Sequence, residues 1–262
     1  MCEMIKENIY RRLKSVFGDE SFHIICIAIT GSKAYGIAQP DSDTDVMGIF
    51  LPPERFLLGV DHVEQILLDK KELGVEGAMF SFSKWYNLML QQNPNVLELL
   101  WHEQNNYVFC DEDYWPILLA ERGNFLSKKL KHSYGGYAYA QMQRLKKLNE
   151  NVNQNKARLE NIEKFGYDVK AAGHVFRLLN TALDALVEHE ITVLRPERHF
   201  ILAIREGKYT LDELQRMSND KIALIENAYI KSTLRNKVDM VHAKEIELQI
   251  IKHRIKELWK SE

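Results

Sequence analysis

The chain has 262 residues, 45% of them hydrophobic and 27% charged, which is enough to bury a proper core in one large domain or two modest ones. No apolar run approaches the roughly 18 residues of a membrane span. The first stretch, MCEMIKENIYRRLKSVF, lacks the apolar core of a signal peptide, and three scattered cysteines (Cys2, Cys26, Cys110) form neither a disulfide framework nor a zinc motif. These features argue against a membrane protein or a disulfide-stapled secreted scaffold, and for a reducing, cytoplasmic setting.

The net charge of −2 conceals an asymmetry: residues 1–120 carry −9 and residues 121–262 carry +7. Nine basic residues fall within 122–158 (Arg122, Lys128, Lys129, Lys131, Arg144, Lys146, Lys147, Lys156, Arg158) against one acidic residue, Glu150. An acidic half that could hold cations joined to a basic segment suits a polyanionic substrate; a solvated helix face explains the segment equally well.

In chain order, Ile5, Ile9, Leu13 and Val16 space an amphipathic helix over about 3–17, ending near Gly18. His23–Thr30, HIICIAIT, has β-branched residues and no helical period, so it reads as a strand. Pro40-Asp41 marks a turn, and residues 45–53 read as a second strand stopped by Pro52-Pro53. Further strands are expected over 64–69 and 76–83. Ser83 is then a candidate N-cap for SKWYNLMLQQ, and Asn93-Pro94 opens another short helix. Beyond about residue 112 strand signals almost vanish, and helical patterns follow over 113–122, 135–152, 168–189, 197–206, 210–230 and 238–259. The expected architecture is α+β: a small mixed-sheet domain over 1–112 and a helical domain over 113–262.

Between the first two strands lies GSKAYGIAQPDSDTD, residues 31–45. Gly31 permits close approach of the backbone to a phosphate, and the Ser32 hydroxyl adds a donor. Asp43 and Asp45 fall on one face of an extended chain, with Cα atoms about 7 Å apart. Two carboxylates so spaced can embrace a divalent ion, or bridge a pair about 4 Å apart, and hard oxygen ligands select Mg²⁺ or Mn²⁺. The alternative is a solvated turn whose aspartates bond their own backbone.

GSKAYG…DSDTDVMGIF resembles the signature of the DNA polymerase β superfamily of nucleotidyltransferases, in the branch found in bacteria and phages. FSFSKWYNLMLQQNPNVLELLW, GGYAYAQMQRLKK, KAAGHVFRLL and ILAIREGKYTLDEL resemble later blocks of that branch, so the likeness spans about residues 23–215. It implies a mixed-sheet catalytic domain in which Gly31 and Ser32 hold the β and γ phosphates of a nucleoside triphosphate. Asp43 and Asp45 would ligate the metals, while Asp41 lies on the turn side. It further implies a third carboxylate at Glu76, five residues before Ser81, where the superfamily more often has Asp. Lys33 stands where relatives commonly carry Arg, keeping the charge but not the bidentate geometry.

Lys170, His174 and Arg177 form one stripe of a helix at i, i+4 and i+7, which by its pattern alone is either a solvated face or a functional one. The resemblance implies that it contacts the nucleotide, with His174 a candidate for proton handling. Gln141 and Lys146 are candidates for facing substrate, and Tyr134, Tyr137 and Tyr139 for stacking on bases or for half-buried core. Trp85, Trp101 and residues 97–100 read as core.

The expected activity is metal-dependent transfer of a nucleoside monophosphate from an NTP to an acceptor hydroxyl, with pyrophosphate released. Some relatives are associated with RNA repair, which together with the basic segment makes an RNA 3′ end the first acceptor. A protein or small-molecule hydroxyl is the second, and a binding module that has lost turnover is the reading from another class.

Overall fold

The computed structural model describes residues 1–40, 42–146 and 156–260; Asp41 and the side chains of Arg144, Lys146, Lys156 and Arg158 lie outside what it describes. In chain order, α1 (Cys2–Phe17) precedes β1 (His23–Ile29), the one-turn α2 (Gly31–Ala34) and β2 (Asp45–Leu51). Then come α3 (Glu54–Leu58), β3 (Gln65–Leu68), α4 (Lys70–Leu73), β4 (Glu76–Ser81), α5 (Phe82–Leu90) and α6 (Pro94–Leu97). A 3-10 turn, Glu98–Trp101, leads to β5 (Tyr107–Cys110) and α7 (Trp115–Glu121). The remainder is helical: α8 (Gly136–Lys146), α9 (Lys156–Phe165), α10 (Val169–Glu188), α11 (Arg198–Arg205), α12 (Leu211–Lys231) and α13 (Met240–Leu258).

The sheet order is β3-β4-β2-β1-β5, antiparallel except for the parallel pair β2–β4. That pair forms because the chain crosses over through α3, β3 and α4 before β4 returns beside β2. β1 is buried along nearly its whole length, so it is an unbroken apolar run rather than an alternating one. α1 lays Ile5, Ile9, Leu13 and Phe17 into a core shared with Ile24, Ile27, Val46, Phe50 and Met79. Burying four such side chains contributes on the order of 6–12 kcal/mol before chain entropy is counted.

The chain divides into two compact units. The first holds residues 1–91, 95–125 and 238–262; the second holds 92–94 and 126–237. The division therefore falls after Phe125 rather than after residue 112, and α13 belongs with the sheet. The buried stripe of α13 (Ala243, Ile246, Ile250, Arg254) explains this. Tyr86 donates to the Ala243 carbonyl (2.7 Å), and Arg254 donates to the Ser21 carbonyl and hydroxyl (3.0 and 2.9 Å).

Local chemistry sets most ends. Asp69 caps α4 by accepting from the Lys71 N–H (2.7 Å), and Gly74 closes it in the left-handed conformation. Asp168 caps α10, and Thr210 and Glu213 form a reciprocal capping box on α12. Ser81, not Ser83, caps α5: its Oγ accepts from the Lys84 N–H, so the helix starts two residues earlier than the pattern suggests. β5 and α9 appear in no sequence pattern above. Trp85, Trp101 and Leu97, Leu99 and Leu100 are buried, as their composition implies. No helix among the described residues is long and apolar enough to cross a membrane.

Candidate active site

The hairpin of β1 and β2 closes with the Thr30 N–H donating to the Asp45 carbonyl (2.8 Å). The 31–36 turn therefore leaves the sheet directly beside the first residue of β2. Gly31 has φ +63°, and a Cβ there would collide with the Asp45 carboxylate. Both facts call for glycine, because the backbone passes against a carboxylate in a conformation that L side chains resist. The Ile37 N–H donates to the Ser32 carbonyl (2.9 Å), and Lys33 Nζ reaches across to Thr44 Oγ1 (2.5 Å). Lys33 is thus half-buried and tied to the residue between Asp43 and Asp45 rather than free in solvent.

On the other side of β2, Asp45 is the register partner of Glu76 at the start of β4. In a parallel pair, register partners project to the same face across about 4.8 Å. The Glu76 N–H donates to the Thr44 carbonyl (3.1 Å), and Gly77 (φ +146°) lets β4 approach where a Cβ would strike the Val46 carbonyl. Gly31, Asp45 and Glu76 are therefore brought together by backbone pairing alone. Asp43 is placed differently. It is about half-exposed and accepts from Lys70 Nζ at the start of α4. Lys70 is held protonated above its ordinary pKa chiefly by that hydrogen bond and the Asp43 charge, with a further contribution from Glu76.

A hard divalent cation suits this donor set, since Asp43, Asp45 and Glu76 offer only carboxylate oxygens and the Lys70 ammonium already occupies a cation's place beside Asp43. Among the described residues, no three His, Cys, Asp or Glu side chains stand close enough to hold a metal together. Completing a three-carboxylate set would require Asp43 to turn from Lys70. That pair is solvent-exposed, so the ion pair itself opposes the turn only weakly.

In the helical unit, the Lys170–His174–Arg177 stripe is no solvated face: Lys170 is exposed, His174 largely covered and Arg177 only 1% exposed. Burial, aided by the Arg177 charge, lowers the His174 pKa to about 3, so its imidazole is neutral at neutral pH. Its ring meets Tyr137 edge-on at 5.9 Å. Tyr137 and Tyr139 are exposed whereas Tyr134 is buried, and Gln141 is half-buried. Gly135 and Gly136 have open space where a Cβ would stand. Within the basic segment, Lys131 pairs with Glu226 (2.5 Å) and lies over the Tyr229 ring, where Lys128 also sits. The Lys146 side chain lies outside the described residues.

Two consequences are measurable. Gly31→Ala adds both positive-φ strain and the Asp45 collision, so thermal denaturation is expected to show a loss of about 1–3 kcal/mol. Acid should also destabilise the protein through its covered histidines. Burial lowers the His102 pKa to about 4, against the attraction of the Glu98 charge, and His174 is lowered further. A folded pKa below the unfolded value near 6.5 gives stability that is fully present above 6.5 and is lost as pH falls toward 4 and then 3. The urea midpoint should therefore drop between pH 7 and pH 5, and His174→Gln should flatten that slope. An equal drop in the variant would remove His174 as a source.

A mixed sheet carrying strand, Gly-Ser turn and Asp-x-Asp, with an acidic residue on the neighbouring parallel strand, accords with the DNA polymerase β type of fold that the sequence resembles. The chain belongs to the RlaP family, described as the RNA repair pathway DNA polymerase beta family, which it matches over residues 5–249. It is also 27% identical over 119 residues to a protein of Enterobacteria phage T4 described as an uncharacterized 38.9 kDa protein in the nrdC-mobD intergenic region. That match covers 42% of this chain and 35% of the phage protein, about a third of the latter's length. Among solved structures, a nucleotidyltransferase-like protein from Exiguobacterium sibiricum is similar with a TM-score of 0.31 and 11% identity, covering 95% of this chain and 80% of that one.

Sequence reasoning missed Lys70, although its surroundings were visible: Asp69 and Gly74 bracket a one-turn helix that presents it.

Proposed function

We propose that this protein is a metal-dependent nucleotidyltransferase that moves a nucleoside monophosphate from an NTP to an acceptor hydroxyl, with an RNA 3′ end as the acceptor. The observation that carries the reading is the backbone pairing that sets the Gly31 turn and Glu76 on either side of Asp45. Gly31 and Ser32 would receive the β and γ phosphates, with Lys33 adding positive charge beside them. Asp43, Asp45 and Glu76 would hold Mg²⁺ or Mn²⁺. The bound ions would neutralise charge building on the transferred phosphoryl group and the departing pyrophosphate. Glu76, exposed at the start of β4, is the group assigned to take the acceptor hydroxyl's proton. Within the helical unit, Lys170 and His174 are assigned to nucleotide contact; His174, being neutral, would offer hydrogen bonding rather than charge, while Arg177, 1% exposed, acts through its charge on His174 and not by touching nucleotide. The family's link to RNA repair and the exposed Tyr137 and Tyr139 favour RNA over a protein or small-molecule acceptor.

The test is incubation with each labelled NTP, Mg²⁺ or Mn²⁺, and RNA ending in either a 3′-hydroxyl or a 3′-phosphate. Pyrophosphate together with an RNA one nucleotide longer, only from the 3′-hydroxyl substrate, is expected. Pyrophosphate formed equally without RNA would move the acceptor elsewhere. The Lys70–Asp43 pair favours one second reading, a nucleotide- or RNA-binding module without turnover, in which NTP binds and no pyrophosphate ever forms.

A further inference from the structure

Glu98 is 1% exposed, a carboxylate in the core of the sheet unit. Burying such a group is expensive, and an apolar residue of similar size in its place is often neutral or stabilising. Its placement is specific. Tyr35, in the 31–36 turn, donates its hydroxyl to Glu98 Oε2 (2.8 Å), joining residues 63 positions apart. The 3-10 turn that carries Glu98 is itself anchored, since Tyr107 on β5 donates to the Leu99 carbonyl (2.8 Å). The Gly31–Gly36 turn is thus held at its far end by this short segment, at Tyr35 through Glu98.

We propose that Glu98 is a positioning residue for the phosphate-binding turn, acting through Tyr35. The assignment of a triphosphate to this turn rests on the function proposed above; the mechanical claim does not. Without the Tyr35–Glu98 bond the turn keeps its glycine geometry at Gly31 but loses its far anchor. A site that must present backbone N–H groups to a ligand is sensitive to such loosening.

The test compares Tyr35→Phe, Glu98→Leu and Glu98→Gln with the unaltered protein. Three quantities are read: amide hydrogen exchange across residues 31–37, affinity for a fluorescent NTP analogue with Mg²⁺, and thermal midpoint. Gln still offers an oxygen to the Tyr35 hydroxyl, so it should restore what Leu loses. Tyr35→Phe and Glu98→Leu are expected to exchange about tenfold faster in the turn than the unaltered protein, and to bind nucleotide about tenfold more weakly. Glu98→Gln should stay close to the unaltered protein in both. Turn exchange in Tyr35→Phe and Glu98→Leu equal to the unaltered protein would overturn the proposal. So would acceleration spread evenly over β1 and β2, which marks a residue that merely stabilises the sheet. If the unaltered protein binds no nucleotide, the triphosphate assignment fails while the exchange data still decide the role of Glu98.

Discussion

Asp45→Asn is expected to abolish pyrophosphate release, by about 10²-fold or more, while leaving the thermal midpoint nearly unchanged. Asn keeps the size of the side chain that lies against Gly31 and keeps the backbone bond from Thr30 to residue 45. What it removes is the negative charge beside Glu76. On the proposed function, a cation held by these carboxylates would lose one of its ligands, and the transferred phosphoryl group its neutralisation. Asp43→Asn should behave alike in activity, since its pairing with Lys70 is solvent-exposed and contributes little to stability. The measurement is a pyrophosphate-release assay run beside circular dichroism melts of both variants. Activity within a few-fold of the unaltered protein, in a folded variant, would show that the carboxylates do not hold the metal.

The largest effect on stability is expected far from that chemistry, at Arg195 in the helical unit. Its guanidinium is 1% exposed and fully engaged: Nη2 meets Asp184 (2.6 Å), Nε meets Glu197 (2.8 Å), and Nη1 donates to the Thr192 carbonyl (2.7 Å) and Thr181 Oγ1 (3.3 Å). Glu197 also accepts from Asn180 Nδ2 (2.8 Å). Burial pushes the Glu197 pKa up, but the Arg195 hydrogen bond and charge outweigh it, and the carboxyl titrates below its ordinary value. Arg195→Ala would leave two half-buried carboxylates without their partner and open a cavity. Breaking a fully buried ion pair from one side costs about 3–5 kcal/mol, and because the carboxylates here keep some contact with solvent, urea unfolding should shift by the lower part of that range. Arg195→Met together with Glu197→Leu removes both charges and should recover part of the loss. A single variant with an unchanged midpoint would show that the cluster is not a structural keystone.

How much of this was legible beforehand follows a physical line. The β1 strand, the Gly31 turn and the start of β2 were readable because each has a local cause: an apolar run, a residue free of Cβ, a second apolar run after Pro40; the shared strand face of Asp43 and Asp45 was not borne out, since Asp43 precedes β2 and pairs with Lys70. The long helices α10, α12 and α13 were readable from their stripes and caps. β5 was not: four half-buried residues at a sheet edge leave no alternation to detect. Nor was α9, whose sequence KARLENIEKF is mostly polar. Non-local partners were beyond reach in principle. Nothing near Tyr35 points to Glu98, and Arg195, which precedes a proline in a charged stretch, has the composition of a surface residue. The polar stripe at Lys170, His174 and Arg177 looked uniform because helical spacing gives an angle and not a depth, and depth is what separates an exposed lysine from a buried arginine.

The sheet unit is discontinuous in the chain, and this has a consequence for how the molecule comes into being. On the ribosome, residues 126–237 emerge complete and can collapse around their own helices while the earlier sheet still lacks α13. Until residues 238–262 appear, the Tyr86 hydroxyl has no Ala243 carbonyl to bind and the face that receives Ile246 and Ile250 stands open to water. The half of the protein synthesised first is therefore the half finished last, and a nascent chain halted anywhere before α13 carries its candidate catalytic residues on an unclosed sheet.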